Sequence, residues 1–322
     1  MTDGPPRRVA VTGGAGFIGS HTVDLLVGDG CRVLVIDDGS HPCGEPLPSG
    51  VELVEADCGS ERAARPLCQF RPEAVLHLAA KGGVERARRD PSDHARATVA
   101  SSVALFHHAA RSGARRVVTA SSGGTVYGDR ARLPAAERAR PAPVSAYGAA
   151  KAAEELYLAA AAREHGLSAL SLRYANVYGP RQDGTGEAGV VAITCTRLRD
   201  GAAPRVFGDG AQTRDFVYVG DVARANVAAL AATRSGVVNI GTGRETAVGH
   251  VVALLRTISG SRVDVELAPR RASEVRRVCV DPRRAAAWLG WRPEVDLERG
   301  LELTFASFCS HEGGATEMVV TA

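Results

Sequence analysis

The sequence predicts an α/β protein: a doubly wound parallel sheet with a smaller α/β domain beside it. Two observations lead there. Short β-branched runs alternate with helical stretches through the first half of the chain, the pattern of βα units around a parallel sheet. The 322 residues are also more than one ordinary domain needs and few for two large ones.

The elements follow in order. Residues 8–12 read as a strand, and 16–27 as a helix stopped by Gly28 and Gly30. Further strands are expected at 32–37, 51–55, 74–78, 116–120 and 167–173, with Ala-rich helices at 92–111 and 147–165. After Arg173 the texture changes: 178–189 is Gly-rich, contains Pro180 and reads as a long loop. Residues 217–232 and 237–240 read as a return to the sheet, and 244–308 as most of the smaller domain. The expected division is therefore a dinucleotide-binding domain over 1–175, rejoined by 217–242, and a mainly substrate-binding domain over 176–322.

Composition narrows the function. Hydrophobic residues make up 45% of the chain, and the net charge is only +3, which gives no argument for nucleic acid or an anionic membrane. No stretch approaches the ~18 apolar residues of a membrane span. The start, MTDGPPRR, lacks the apolar core of a signal peptide. Seven scattered cysteines without a C-x-x-C pair fit reduced thiols, so a cytoplasmic protein is expected. No metal site is expected: His107 and His108 are adjacent on a helix, and their side chains diverge by about 100°. Of the 39 basic residues only Lys81 and Lys151 are lysine, so each lysine calls for a reason.

The first strand runs into Thr12-Gly13-Gly14-Ala15-Gly16-Phe17-Ile18-Gly19. Gly13, Gly16 and Gly19 allow a tight turn, close approach to a pyrophosphate and close helix–sheet packing. The helix that follows presents free N–H groups to the phosphates. Asp37 closes the second strand and is placed to accept both adenosine ribose hydroxyls. Asp38, Gly39 and Ser40 offer no cation for a 2′-phosphate, which favours NAD over NADP. Asp57, after the third strand, is a candidate for the adenine amino group. Together these make the sheet a Rossmann-type one.

Ser145-Ala146-Tyr147-Gly148-Ala149-Ala150-Lys151 contains Tyr-x-x-x-Lys, which places both side chains on one helix face. A free tyrosine, with a pKa of about 10, is a poor base at neutral pH. A neighbouring ammonium and an oxidised nicotinamide both favour the phenolate. Lys151 can also hold the nicotinamide ribose hydroxyls. One of only two lysines thus stands four residues after the candidate acid/base.

With these residues in view, the sequence resembles the extended short-chain dehydrogenase/reductases, and within them the UDP-glucose 4-epimerases. The resemblance is carried by VTGGAGFIGSH, HLAA (77–80), SSGGTVYG (121–128), YGAAK (147–151), LRYANVYGPRQDGTGEAGVV (172–191), FGDGAQTRDFVYVGDVARA (207–225), NIGTG (239–243) and LGWRP (289–293). It implies that Phe17, Ile18, Leu78, Ala79 and Ala80 line the cofactor. It also implies that Tyr147 is the acid/base and Lys151 its partner. Asn176, Arg214 and Arg271 would meet the UDP diphosphate, Glu274 the uridine ribose, and Phe207 the uracil. Lys81, Tyr174 and Val190 would border the sugar.

One departure stands out. Many relatives carry a catalytic Ser or Thr at the position of Gly123; Ser122 or Thr125 are candidate replacements, and direct contact of Tyr147 with the sugar O4 is the alternative. Gly124-Thr125 also stands where members that dehydrate a hexose have Asp-Glu, and where a uronate decarboxylase has Glu at 125. An epimerase needs no such acid. Small residues at Gly123, Gly124 and Ala175 would leave room for a 4-keto sugar to turn over. The resemblance therefore implies a UDP-hexose 4-epimerase, with UDP-glucose/UDP-galactose ahead of UDP-glucuronate. The latter rests on Lys81, with Arg86 and Arg88 nearby, pairing a C6 carboxylate; the plainer and favoured reading of Lys81 is a solvated surface charge. A non-catalytic NAD-binding sensor is the reading from a different class; Gly123 permits it, and Tyr147 with Lys151 opposes it. The family's habit of dimerising through two helix pairs implies a homodimer built on 92–111 and 147–165.

Overall fold

The computed structural model describes residues 5–129, 131–185, 189–270 and 275–310. The first half of the chain runs β1 (Arg8–Thr12), α1 (Phe17–Gly28), β2 (Arg32–Asp37), β3 (Glu52–Glu55), α2 (Glu61–Phe70), β4 (Ala74–His77), α3 (Val84–Arg89) and α4 (Pro91–Ala95). A π-helical turn at Arg96–Ala100 follows, then α5 (Ser101–Arg111), β5 (Arg116–Ser122), α6 (Ala146–His165) and β6 (Ser168–Tyr174). The second half adds β7 (Asn176–Tyr178), α7 (Val190–Arg199), β8 (Arg205–Phe207), β9 (Thr213–Arg214), β10 (Phe216–Tyr218), α8 (Val219–Ala231) and β11 (Gly236–Ile240). The chain closes with β12 (Thr246–Ala247), α9 (Val248–Ser259), β13 (Glu266–Ala268), α10 (Arg283–Leu289) and α11 (Leu297–Ser310).

Seven parallel strands form the main sheet in the order β11-β6-β5-β4-β1-β2-β3. The order reverses between β1 and β4, and such a switch point opens a crevice beyond the carboxyl ends of the strands. Both faces are covered, as a parallel sheet requires. Side chains alternate along each strand: Val9 and Val11 pack with α1, α8 and α10, whereas Ala10 packs with α2, α5 and α6. A third, separate core lies among α7, α9 and α11. Among the described residues no helix is long and apolar enough to cross a membrane.

Three expectations change. The stretch 92–111 is not one helix but α4, the π-turn and α5; Asp90 caps α4 by accepting the Asp93 N–H at 2.8 Å, with Pro91 at the first helical position. Residues 217–232 do not enter the sheet: β10 pairs with β7 outside it, and Val219–Ala231 is a helix that packs on α1. Only β11 rejoins the main sheet. Further on, Val280, Ala285 and Trp291 return to the core shared with α1 and α8.

Candidate active site

A cavity of about 730 Å³ opens along the carboxyl ends of the strands at the switch point. Gly13, Gly16, Phe17, Ile18, Gly19, Asp37, Asp57, Leu78, Ala79, Ala80, Lys81, Tyr147, Lys151 and Tyr174, all singled out in the sequence, line it together. The turn from β1 into α1 is crowded at Gly13, Gly14 and Gly19. Gly13 sits at φ +71°, and a Cβ there would lie 2.7 Å from the Ala79 nitrogen. The first turn of α1 has neither a side-chain cap nor an acidic residue. Its N–H groups and partial positive charge are thus open to an anion.

Asp37 is buried and ties the loop to β2: Oδ2 accepts from the Ala15 N–H at 3.0 Å and Oδ1 from Gly39 N–H at 2.9 Å. A carboxylate offers about four acceptor sites, so two stay available for a diol. Asp57 accepts from the Gly59 N–H at 2.9 Å and from the Ser101 hydroxyl. These features fit a dinucleotide with a free adenosine diol. Lys81 is not a solvated charge, nor is it free for a substrate carboxylate: it forms a half-buried ion pair with Asp38.

Ser145 caps α6 by accepting from the Gly148 N–H at 3.1 Å, so the helix starts one residue before Tyr147. Lys151 is buried, and its Nζ lies 2.9 Å from Glu154 Oε2. Glu154 Oε1 accepts from the Ser102 hydroxyl at 2.5 Å, and the same hydroxyl lies 2.8 Å from His77 Nε2. His77 Nδ1 in turn is 2.6 Å from the Thr12 hydroxyl. Burial works against the Lys151 charge, but Glu154, with smaller contributions from Tyr147 and Cys58, holds the ammonium above its ordinary pKa. Burial likewise pushes Glu154 up, yet Lys151, with His77 and Ser102, brings it down to about 2. The next residue, Glu155, receives Arg173 in a bidentate pair at 2.8 and 2.6 Å and the Ser121 hydroxyl at 2.5 Å. That buried pair fixes α6 against β5 and β6.

The hydroxyl question takes a different form here. A Cβ on Gly123 would lie 2.7 Å from Val280 Cγ1 and 3.1 Å from the Arg173 carbonyl oxygen, so position 123 points into the core and has no room for a hydroxyl. Ala175 is buried likewise. Gly124 is less crowded than Gly123: a Cβ there would make ordinary contacts, at 3.8 Å to Ser122 Oγ and Asn176 Oδ1 and 3.9 Å to Val278 Cγ1. Thr125 Oγ1 and Asn176 Oδ1 are both buried without a partner. Ser122, Thr125 and Asn176 thus cluster beside Gly124, outside the wall of the main cavity.

The remaining expected substrate residues are dispersed. Phe207 lines a second cavity of about 200 Å³ with Gln212, Arg270 and Arg276. Arg271 and Glu274 lie outside the described residues. Arg214 donates to the Thr213 carbonyl at 2.8 Å and lines neither cavity. Val190 begins α7 and packs on the third core. Tyr174 reaches the main cavity, but its hydroxyl donates into the core, to Asn226 Oδ1 at 2.6 Å. The cavity also holds residues that sequence reasoning missed. Thr98, on the π-turn, is buried with an unpartnered Oγ1; Ser102 and Arg181 line the wall as well. Glu154 carried a readable signal, an acid three residues after Lys151 on the same helix face.

A glycine-loop cleft at the sheet's switch point, with a Tyr and a buried Lys on one helix face, defines a dinucleotide-dependent α/β enzyme of the Tyr–Lys type. The chain belongs to the NAD dependent epimerase/dehydratase family, whose model matches residues 9–241. It is 40% identical to the UDP-glucose 4-epimerase of Mycolicibacterium smegmatis over 94% of this chain and 98% of that protein. Its fold matches the UDP-glucose 4-epimerase of Thermotoga maritima solved with UDP-glucose (TM-score 0.91, 42% identity, covering 94% of this chain and 98% of that one). It also matches the Thermus thermophilus UDP-glucose 4-epimerase solved with NAD (TM-score 0.89, 38% identity, 94% and 99% covered).

Proposed function

We propose that this chain is a UDP-hexose 4-epimerase, using NAD to invert C4 of UDP-glucose and UDP-galactose through a transient 4-keto sugar. The observation that carries the reading is the pairing of Tyr147 with a buried, charged Lys151 in a cleft shaped for a dinucleotide. Similarity to UDP-glucose 4-epimerases over nearly the whole chain, at 40–42% identity, supports the substrate class. When bound, NAD supplies the acceptor and donor of the C4 hydrogen. Gly13, Gly16 and the first turn of α1 hold its pyrophosphate, and Asp37 its adenosine ribose. Tyr147 takes the proton of the 4-hydroxyl and returns it to the 4-keto oxygen. Lys151 stabilises the phenolate. The 4-oxygen is met by the hydroxyl of Thr125 or Ser122, or by Tyr147 directly.

The glucuronate reading required Lys81 to face a substrate carboxylate, and the Asp38 ion pair removes that support. Leu156 and Tyr157 on α6 are 74% and 51% exposed, and they support a homodimer through α5 and α6. Incubating the purified protein with a panel of UDP-sugars and no added NAD tests the function. NMR is expected to show UDP-galactose and UDP-glucose interconverting; no C4-inverted product from any sugar contradicts it.

A further inference from the structure

We propose that Lys81 and Asp38 form an ionic clasp across the dinucleotide cleft, closed over the middle of the bound cofactor, and that this clasp slows NAD release. Among the described residues, Lys81, Arg86, Lys151 and Arg181 are the Lys and Arg side chains that line the cleft. Each stands beside a carboxylate, but the partners of the last three, Asp93, Glu154 and Asp24, lie outside the cleft wall. Lys81 with Asp38 is the ion pair that has both members in that wall. It also gives a reason for one of the two lysines in a chain that otherwise uses arginine.

The span follows from the topology. Asp38 comes directly after β2, and Lys81 comes four residues after the end of β4. In the sheet, β1 lies between those two strands. Two strand steps put the attachment points on the order of 10 Å apart. They stand on either side of the glycine turn at 13–16, the turn assigned above to the cofactor pyrophosphate. The flexible four-carbon stem and compact ammonium of a lysine suit such a reach. Both ends are held. Asp38 Oδ1 accepts from the Ser40 N–H at 3.0 Å and from the Ser40 hydroxyl at 2.6 Å, which leaves Oδ2 for Lys81. Lys81 sits in the short connection from β4 to α3, followed by Gly82 at φ +70°. The paired side chains are 25% and 23% exposed, so solvent screens them only in part. A dinucleotide seated beneath the pair leaves when the pair parts.

The inference rests on NAD occupying the cleft and is independent of the sugar. The test is therefore NAD release without any sugar present. Protein loaded with labelled NAD is chased with excess unlabelled NAD, in the wild type, Asp38→Asn, Lys81→Met and the double variant. Each single variant is expected to release NAD about two- to fivefold faster, the worth of a partly exposed ion pair. The double variant is expected to release it no faster than either single one, because the two groups act as one unit. Faster release from Lys81→Met alone would mean that the ammonium serves the cofactor phosphates without Asp38, and it overturns the proposal. So do unchanged rates in both single variants, or effects that multiply in the double variant. An error in the sugar chemistry would show separately, in the UDP-sugar panel.

Discussion

The role proposed for Tyr147 depends on what surrounds it. Lys151 is buried four residues further along the same helix face, with Glu154 at 2.9 Å from its Nζ. Tyr147→Phe is expected to lower kcat by about 10²–10⁴-fold, the usual worth of an acid/base group, while NAD stays bound; cofactor absorbance of the purified variant checks the second half. At position 123 the expectation is structural. Gly123→Ser would press on Val280 and is expected to destabilise the protein by about 1–3 kcal/mol, without a gain in turnover; a urea midpoint beside a rate measures both. Thr125→Val separates the two remaining hydroxyls. If Thr125 bridges to the sugar, kcat falls with stability nearly unchanged; wild-type kcat leaves the role to Ser122 or to Tyr147 itself. Sequence reasoning placed the glycine loop, Asp37, Tyr147 and Lys151 because each motif is local in the chain. It misplaced the open side of Gly123, because which way a Cβ points depends on Val280, a residue far along the chain.

At the scale of elements, α6 is held by two adjacent buried carboxylates facing different partners. Glu155 closes on Arg173, whose guanidinium also lies 4.8 Å over the Tyr127 ring. Glu155→Ala leaves that guanidinium buried without its counter-charge and is expected to cost about 3–5 kcal/mol, visible as a lower urea midpoint. Glu154 adds a pH signature. Its folded pKa, about 2, lies below the unfolded carboxylate value of about 4.3. Its contribution is therefore complete above the unfolded value and is lost as pH falls through the folded one. Urea midpoints between pH 5 and 3 should fall less steeply in Glu154→Gln than in the wild type. Strand and helix positions were legible because the β-branched runs and Ala-rich stretches are regular. The π-turn was not, since Ala and Ser continue through it without a break in pattern. Such turns concentrate at functional sites, and this one delivers Thr98 and Ser102 to the cleft.

At the scale of the molecule, a switch point in one sheet gathers residues from β1, β2, β4, α6 and the loop beyond β7 into one cleft. The order of the strands was the least legible feature, because helical and strand periods say nothing of which strands become neighbours. The C-terminal part likewise returns to the first core at Val280 and Trp291, a long-range contact with no local signal. The homodimer proposed above is a prediction about the exposed side of α6, where Leu156 and Tyr157 lie. Light scattering is expected to report a dimer, and Leu156→Glu to shift it toward monomer; a wild-type monomer would contradict the arrangement. The central claim is that the C4 hydrogen leaves the sugar and returns to it inside this cleft, with Tyr147 moving only the hydroxyl proton. Running the reaction of UDP-galactose in D2O and reading C4 of the product by NMR tests it most directly. The account predicts UDP-glucose with no deuterium at C4, and deuterium at that carbon would contradict it.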